Sequence, residues 1–368
     1  MPLLVLGLGL VALVVGLLAT GAAVAAGRRL EALDAPGVAG QVKAAPRRVP
    51  NIGGVGIAAG IVLPLAVVGL IVGLSQPPAM HPDAAEHVDG LRGSLPGLAW
   101  LLAALLGLHA LGLIDDRRPL GPWLKLGLMA LPCIAVPLLT DTRMLVLLDA
   151  LPGGYALSVA VTAAWLLAMT NALNFLDNMD GLAAGLAAIA SGFLLFTVLA
   201  AGQWFVAGML ACVAGSCLGF LPWNFPRARI FMGDGGSLVL GFAMGFLSVR
   251  GTYVNAEAGN WYAALLPPLV LAVPLYDLAT VVLLRLAQGR SPLVGDLQHV
   301  SHRLADRGLG RTGAVLALWG LAAISGVSGV LLARVDAAGA VLIAVQAAAV
   351  VVVLAALEFW PMRWGGDG

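Results

Sequence analysis

Charged residues are scarce in this sequence: they make up 11% of its 368 residues, whereas hydrophobic residues make up 60%. The mean hydropathy is +0.97. A soluble globular domain has roughly 25% charged and 45–50% apolar residues. The composition therefore excludes an ordinary soluble domain and indicates a chain that is largely surrounded by lipid.

Three further absences narrow the function. The three cysteines, Cys133, Cys212 and Cys217, lie in apolar segments without metal-ligand spacing, so we expect neither a disulfide framework nor a zinc site. The sequence has no GxxxxGK[ST] phosphate-binding loop, which argues against ATP hydrolysis. It also has no long polar stretch that would fold as a soluble domain, and we expect no nucleic-acid partner.

The apolar residues form runs of about twenty, the length of a helix that crosses a bilayer core of about 30 Å. We therefore predict an all-α polytopic membrane protein that forms one domain over residues 1–368. The first run lacks a basic start and is too long for a signal peptide. The eleven predicted spans are 2–26, 51–74, 96–114, 124–140, 156–173, 182–201, 204–222, 236–249, 263–284, 313–333 and 338–360.

Positive charges are distributed unevenly among the segments that connect these spans. If the spans alternate across the bilayer, sixteen of the twenty Lys and Arg residues fall on one side, and the other side holds Arg92, Arg143, Arg250 and Arg334. Positive residues mark cytoplasmic loops. The sequence thus predicts an N-terminus outside and a C-terminus in the cytoplasm.

Four polar motifs fall on the predicted cytoplasmic side, which indicates one composite active site on that face. The first, LGLIDDRRPLGPWLK at 111–125, places Asp115 beside Asp116 at a helix end. Two such carboxylates repel each other unless a cation lies nearby, and we expect one of the two following arginines or a divalent metal to supply it. The alternative is a solvated charged turn, with Lys125 as a positive anchor of the next span.

The second motif, NALNFLDNMDGLAAG at 171–185, has polar residues at every third position: Asn171, Asn174, Asp177 and Asp180. On a straight helix each step of three residues falls about 60° short of a full turn. The first and last of these side chains would then lie on nearly opposite faces. We therefore predict that the helix ends or unwinds around 178–181, with Gly181 as a suitable residue. The alternative is a plain polar cap between two spans.

The third motif is FMGDGGS at 231–237, where a glycine-rich turn precedes a helix. Glycines allow the backbone to approach a ligand closely, and the start of a helix favours an anion. Asp234 at this position suits a hard cation such as Mg²⁺. Alternatively, Asp234 or Ser237 is merely the N-cap of the helix.

The fourth motif, QHVSHRL at 298–304, lies in the longest predicted cytoplasmic loop and holds His299, His302 and Arg303. This combination suits a pyrophosphate or a metal ion, although zinc is disfavoured because no third histidine or cysteine is clustered with it. A positively charged amphipathic loop is the alternative interpretation.

Acidic residues beside a glycine-rich helix start and a basic loop suggest a phosphorylated substrate held with Mg²⁺, and the bundle suggests a lipid as the second substrate. In their order the motifs resemble those of the polyprenyl-phosphate N-acetylhexosamine-1-phosphate transferases, glycosyltransferase family 4. The matching patterns are GLIDD with a lysine nine residues after its second aspartate, NxxNxxDxxDG, FMGDGGS and HxSHR. The first loop, LDAPGVAGQVKAAPRRVPNIGG, also resembles a family segment. The resemblance covers about residues 30–310 and leaves two further predicted spans within 313–368.

The resemblance implies the transfer of an N-acetylhexosamine 1-phosphate from a UDP-sugar to undecaprenyl or decaprenyl phosphate, with release of UMP. N-acetylglucosamine is the leading sugar. The reaction initiates cell-envelope glycan synthesis at the inner (plasma) membrane. The resemblance also implies Mg²⁺ as cofactor, with Mn²⁺ as an alternative ion, and the sequence leaves a homodimer open.

The resemblance further implies roles for matching residues, with Asn171 either in the substrate-binding set or as a support of the turn. The implied roles are an aspartate pair near the lipid phosphate, Asp115 and Asp116; Mg²⁺ ligands, Asn174 and Asp234; acids of the nucleotide-sugar pocket, Asp177 and Asp180; a pyrophosphate loop, His299, His302 and Arg303; and site lysines, Lys43 and Lys125.

Two alternatives remain open. Ser301 stands where many relatives have the middle histidine of their loop, which argues against the related transferases that use UDP-MurNAc-pentapeptide, without excluding that substrate. A membrane transporter is the other class, with Asp277, an acid inside a predicted span, as the coupling residue. Asp277 would otherwise pair with Arg285 two turns later or with another helix.

Overall fold

A computed structural model describes residues 1–29, 49–74, 87–254, 260–292 and 296–359. These residues form helices joined by loops, as the all-α prediction requires. Two 3₁₀ segments at Val146–Ala150 and Trp261–Leu265 and a wide turn at Ala305–Leu309 interrupt the pattern. The helices are α1 (Pro2–Arg29), α2 (Gly54–Leu74), α3 (Val88–Gly93), α4 (Leu95–Arg117), α5 (Pro122–Thr140), α6 (Gly154–Leu176), α7 (Leu182–Ala200), α8 (Trp204–Asn224), α9 (Asp234–Arg250), α10 (Leu266–Val270), α11 (Ala272–Ala287), α12 (Val300–Leu304), α13 (Gly310–Leu332) and α14 (Ala337–Phe359).

Within the described ranges, nine helical segments are long and apolar enough to cross a membrane. The segment Trp261–Val270 and α11 together reach that measure as a pair bent by 72°, which corresponds to the predicted span at 263–284. The predicted span at 236–249 is α9, which has 17 residues. The protein is therefore a multi-pass helical membrane protein, while the count of eleven spans and the orientation stay predictions.

Two helices continue three residues beyond the predicted apolar spans 96–114 and 156–173. Helix α4 continues through Arg117, so Asp115 and Asp116 lie in its last turn. Helix α6 continues through Leu176, which brings Asn174 into the helix. A span predicted from hydropathy ends at the first polar residue. The helix itself continues, because these polar side chains form hydrogen bonds with neighbouring helices.

Helix α8 lies in the interior of the bundle and packs along α1. A side chain at Gly215 or Gly219 would collide with backbone atoms of Gly9 or Leu13, so small residues allow the two helices to approach closely. Helix α14 lies at the periphery and buries only Ile343, Leu354 and Glu358. Its other side chains face outward, as expected for a helix in contact with lipid.

The polar stretch after α6 does break the helix, as predicted. Helix α6 ends at Leu176, slightly earlier than the predicted 178–181, and α7 begins at Leu182. Gly181 has a φ of 81°, and its amide donates to Oδ1 of Asn224 at 2.6 Å. A Cβ atom there would also lie 2.6 Å from the ring of Phe225. Glycine is therefore required at this position for both conformation and space.

Gly112 provides a test of the packing between α4 and the start of α9. A Cβ atom at Gly112 would overlap the backbone of Asp234 and Gly235, whereas Gly107 on the same helix faces open space. We expect Gly112→Ala to lower the free energy of unfolding by about 1–3 kcal/mol, the usual cost of overpacking. Gly107→Ala is the control and should unfold at the wild-type temperature. Equal melting temperatures of both variants in detergent micelles would contradict this packing.

Candidate active site

Four helix ends meet at one end of the bundle. The last turn of α4, the first turn of α5, the last turn of α6 and the start of α9 bring together Asp115, Asp116, Lys125, Asn174 and Asp234. These residues come from three of the four motifs that the sequence singled out. The prediction of one composite site therefore holds for these three motifs.

Lys125 lies between two carboxylates of different helices. Its Nζ is 3.0 Å from Oδ2 of Asp115, and it also forms an ion pair with Asp234. All three side chains are largely shielded, so they pair in a medium where charges interact more strongly than in water. Among the described residues, the cation beside Asp115 is this lysine and not the arginines that follow the pair. Lys125 is thus more than a positive anchor of its span.

Asp234 is the first residue of α9, and Gly233 is its N-cap with a φ of 67°. The alternative in which Asp234 or Ser237 caps this helix is wrong, because no side chain of the helix caps it. Instead, Oδ1 of Asp234 accepts a hydrogen bond from Nδ2 of Asn174 at 2.7 Å. The same amide group donates to Oγ of Ser237 at 2.9 Å. The end of α6 and the start of α9 are therefore joined through Asn174.

Asp116 has a different environment from Asp115. Its Oδ1 accepts from the backbone amide of Asp234 at 3.1 Å and from Nδ2 of Asn51 at 3.0 Å, and its Oδ2 accepts from the amide of Gly235 at 3.3 Å. A carboxylate is stabilised at the start of a helix, where backbone amides lack partners within the helix. Asp116 therefore caps α9 from another helix and fixes its position.

Sequence reasoning missed Asn51, although it lies in the PNIGG segment that carried part of the resemblance. This segment runs beside the third motif, where the amides of Gly53 and Gly54 donate to the carbonyls of Phe231 and Met232 at 2.9 and 2.8 Å. The amide of Phe231 donates to the carbonyl of Pro50 at 2.8 Å. These backbone bonds place the Asn51 side chain on Asp116.

Asp177 and Asp180 lie in the break between α6 and α7. The pKa of Asp177 is raised well above its usual range, first by burial and then by the negative charges of Asp234 and Asp116. Oδ2 of Asp180 accepts from the amide of Ala228 at 2.9 Å, which links the break to the loop after α8. Neither the raised pKa of Asp177 nor the hydrogen bond of Asp180 tests the predicted role of these residues in a nucleotide-sugar pocket.

The donor chemistry of this cluster fits a divalent cation. The carboxyl groups of Asp115, Asp116, Asp177 and Asp234 outnumber the single ammonium group of Lys125, and the negative charges of Asp234 and Asp116 add to the burial that raises the pKa of Asp177. Carboxylate and amide oxygens are the ligands that Mg²⁺ prefers. Within the described part of the chain, however, no three acidic, histidine or cysteine side chains form a ready metal centre.

The fourth motif reaches the same region through the break after α6. Nδ1 of His299 lies 2.8 Å from Oδ2 of Asp277, and the His299 ring packs edge-on against Phe175 with 5.7 Å between centroids. Oγ of Ser301, which replaces the histidine found in many relatives, donates to Oδ1 of Asn178 at 2.7 Å. His299 and Ser301 are thus tied to the turn that follows Asn174.

Arg303 points to a different partner. Its Nε and Nη2 donate to Oε2 of Glu358 at 2.8 and 2.6 Å, and Nη2 also donates to Oγ1 of Thr280 at 3.2 Å. Nη1 donates to the carbonyl of Gln298. Glu358 belongs to α14, which lies beyond the region of resemblance, so no motif pointed to this pair. The contact of Arg303 with a pyrophosphate stays a prediction, as does that of the mostly buried His302.

Asp277 pairs with His299, the residue that precedes α12, and not with Arg285, which was one of the two alternatives for its partner. Arg285 instead forms an ion pair with Asp296 at 3.0 Å and lies over the Phe175 ring at 5.2 Å. Burial of Asp296 opposes ionisation, but Arg285 and a backbone amide keep the pKa of Asp296 below its usual range. The arginine thereby holds the loop before His299.

Asn171, Asn178 and Lys43 are the remaining residues that the sequence analysis considered, and no contact among the described residues joins the two asparagines to the acidic cluster. Nδ2 of Asn171 donates to the carbonyl of Leu167 at 2.8 Å within its own helix, and Asn178 donates to Phe175 at 2.7 Å. These bonds fit the supporting role that was the alternative for Asn171. Lys43 lies outside the described residues.

Comparison with known proteins yields a consistent class. A family model described as glycosyl transferase family 4 matches residues 98–252. The chain is 31% identical over 323 residues to the decaprenyl-phosphate N-acetylglucosaminephosphotransferase of Mycobacterium tuberculosis, covering 81% of this chain and 78% of the relative. It is 31% identical over 234 residues to a probable undecaprenyl-phosphate N-acetylglucosaminyl 1-phosphate transferase of Bacillus subtilis, covering 60% of this chain and 62% of that relative, less than two thirds of its length.

A third relative represents the alternative branch. The phospho-N-acetylmuramoyl-pentapeptide-transferase of Moorella thermoacetica is 38% identical over 177 residues, which cover 47% of this chain and 51% of the relative.

The fold and the acidic site define an integral membrane protein with a polar centre at one end of its bundle. With the similarity to the mycobacterial protein, this chain belongs to glycosyl transferase family 4, the polyprenyl-phosphate N-acetylhexosamine-1-phosphate transferases.

The position of Lys125 predicts how the site responds to a cation. Lys125→Met leaves the carboxylates of Asp115 and Asp234 without their ammonium partner, so a divalent ion should stabilise this variant more than the wild type. We expect Mg²⁺ to raise the melting temperature of Lys125→Met in detergent by about 3 °C or more beyond its effect on wild type. The control is Arg118→Met, at the exposed end of α4. An equal effect of Mg²⁺ on all three proteins would contradict the assigned charge balance.

Proposed function

We propose that this protein transfers an N-acetylhexosamine 1-phosphate, with N-acetylglucosamine as the leading sugar, from a UDP-sugar to a polyprenyl phosphate. UMP and a polyprenyl-pyrophosphoryl sugar are the products. The observation that carries the proposal is the convergence of Asp115, Asp116, Asn174 and Asp234 around Lys125 at one end of an apolar bundle. At such a place a lipid phosphate can meet a water-soluble nucleotide sugar.

The relatives support the same reaction. The Mycobacterium and Bacillus proteins are named as transferases that act on decaprenyl phosphate and undecaprenyl phosphate with N-acetylglucosamine phosphate. We assign to this chain a UDP-sugar donor, a polyprenyl phosphate acceptor and a site on the cytoplasmic face of the inner (plasma) membrane. The cytoplasmic assignment follows from the uneven distribution of Lys and Arg.

The excess of carboxylates supports a requirement for Mg²⁺, with Asn174 and Asp234 as the residues that would hold it. When bound, Mg²⁺ supplies positive charge to the phosphate oxygens of the donor. The protein contributes the positions of its ligands: Lys125 and Asn174 hold Asp234 from two helices, and Asp116 fixes the start of α9. Such prior positioning is the main contribution of a protein to phosphoryl transfer.

The acceptor phosphate is itself a nucleophile, so the reaction needs charge neutralisation and in-line alignment more than proton removal. We propose direct attack of an acceptor oxygen on the sugar-bearing phosphorus, with formation of one P–O bond and cleavage of the bond to UMP. Asp115 and Lys125 would lie beside the acceptor, and His299, His302 and Arg303 beside the pyrophosphate. Isolation of a covalent phospho-sugar enzyme in the absence of lipid would contradict direct attack.

The decisive assay incubates the purified protein with Mg²⁺, polyprenyl phosphate and each of UDP-N-acetylglucosamine, UDP-N-acetylgalactosamine and UDP-MurNAc-pentapeptide. We expect UMP release that depends on the lipid, with N-acetylglucosamine preferred. Preference for the pentapeptide donor would instead favour the branch of the Moorella relative. Absence of UMP with every donor, together with solute uptake by vesicles that contain the protein, would favour the transporter.

Asp234→Ala tests the central carboxylate. It removes the side chain that links α5, α6 and α9, and we expect UMP release to fall at least about 100-fold while the protein still inserts and can be purified. Asp149→Ala is the control, because Asp149 pairs with Arg143 in a loop away from the cluster. Near-normal turnover of Asp234→Ala would refute its role.

A further inference from the structure

Asp277 is a fully buried acid that none of the four motifs contains. It lies on α11 with 0% of its surface exposed. Both carboxylate oxygens have partners: Oδ1 accepts from the backbone amide of Val300 at 2.8 Å, and Oδ2 lies 2.8 Å from Nδ1 of His299. A buried carboxylate with two such partners is held in one orientation.

These contacts also fix the ring of His299, which is 5% exposed. Asp277 engages Nδ1, and the edge-on contact with Phe175 restrains the plane of the ring. An acidic partner on one ring nitrogen determines which nitrogen carries the proton and where the other points. Nε2 is then the ring atom that is not bonded to Asp277.

The pair lies next to the acidic cluster. Phe175 directly follows Asn174, which donates to Asp234, and Ser301 donates to Asn178 in the same break. The orientation of His299 is therefore set relative to the residues that would hold Mg²⁺ and the donor.

We propose that Asp277 is a positioning residue of the active site. It keeps Nδ1 of His299 protonated and stabilises a positively charged ring. Nε2 of that ring then donates a hydrogen bond to a phosphate oxygen of the nucleotide sugar. The identity of that anion rests on the proposed function. The orientation of the ring by Asp277 does not. A charged donor makes a stronger hydrogen bond to phosphate than a neutral one.

Asp277→Asn separates this role from a general role in folding. The Val300 amide needs an acceptor, so the oxygen of the introduced amide should remain beside it and the NH₂ group should face His299. Nδ1 would then have to accept a hydrogen bond, which moves the ring proton to Nε2 and disfavours the charged ring. An Asp→Asn change can alter a histidine in this way with little change in geometry.

The ring state can be measured without any assay of activity. We would record ¹⁵N NMR spectra of histidine-labelled protein in lipid bilayers and assign His299 by its loss in His299→Gln. We expect Nδ1 of His299 to be protonated in wild type and deprotonated in Asp277→Asn. Asp149→Asn, which removes an acid that pairs with Arg143 away from His299, is the control and should keep the wild-type ring state. The same ring state in wild type and Asp277→Asn would overturn the proposal.

Kinetics give a second test of the same claim. We expect His299→Gln, which removes the charge-assisted hydrogen bond, to raise KM for the UDP-sugar roughly tenfold, and Asp277→Asn, which leaves Nε2 as a neutral donor, to raise it less. Neither variant should change KM for the lipid. The double variant should be no worse than His299→Gln, because both changes act on the same interaction. Additive effects of the two substitutions on KM, or a rise in KM for both substrates, would contradict the positioning role of Asp277. If no variant and not even the wild type releases UMP, the proposed function fails, while the NMR result still decides the role of Asp277.

Discussion

The interaction on which the site depends is the ion pair of Lys125 with Asp115 and Asp234. It joins the end of α4 and the start of α5, which are consecutive in the sequence, to the start of α9, where Asp234 lies 109 residues after Lys125. Charges of this kind are costly to shield from water unless they are paired, so each partner constrains the other two. The hydrogen bonds of Asp116 to the first amides of α9 and of Asn174 to Asp234 then complete the arrangement.

The fold supports this arrangement by close approach of helices. Gly112 allows α4 to contact the first turn of α9, and Gly54 brings α2 against Gly236. The glycines around Asp234 therefore allow close packing of the backbone, while their role in access for a ligand stays a prediction. Asn174 reaches the centre from the last turn of α6, and the break that follows, which ends at Gly181, takes Asp177 and Asp180 out of the helical path.

Much of this could be predicted from the sequence, because hydropathy reports burial in lipid and a three-residue spacing conflicts with a straight helix. The break after α6 and the convergence of three motifs follow from such rules. The partners could not be predicted, since neither Asn51 nor Glu358 shares a motif with the residue it binds. Two helices also extend beyond the predicted spans, because hydropathy does not register a polar group that is hydrogen-bonded to another helix.

The central claim is that sugar and phosphate move together onto a lipid. The most direct measurement uses a UDP-sugar labelled separately in the sugar and in the sugar-bearing phosphate, in proteoliposomes with Mg²⁺ and polyprenyl phosphate. The account predicts that both labels enter the lipid fraction in equal amounts while UMP remains in water. Transfer of the sugar without the phosphate, with release of UDP, would contradict it, as would accumulation of intact donor inside the vesicles.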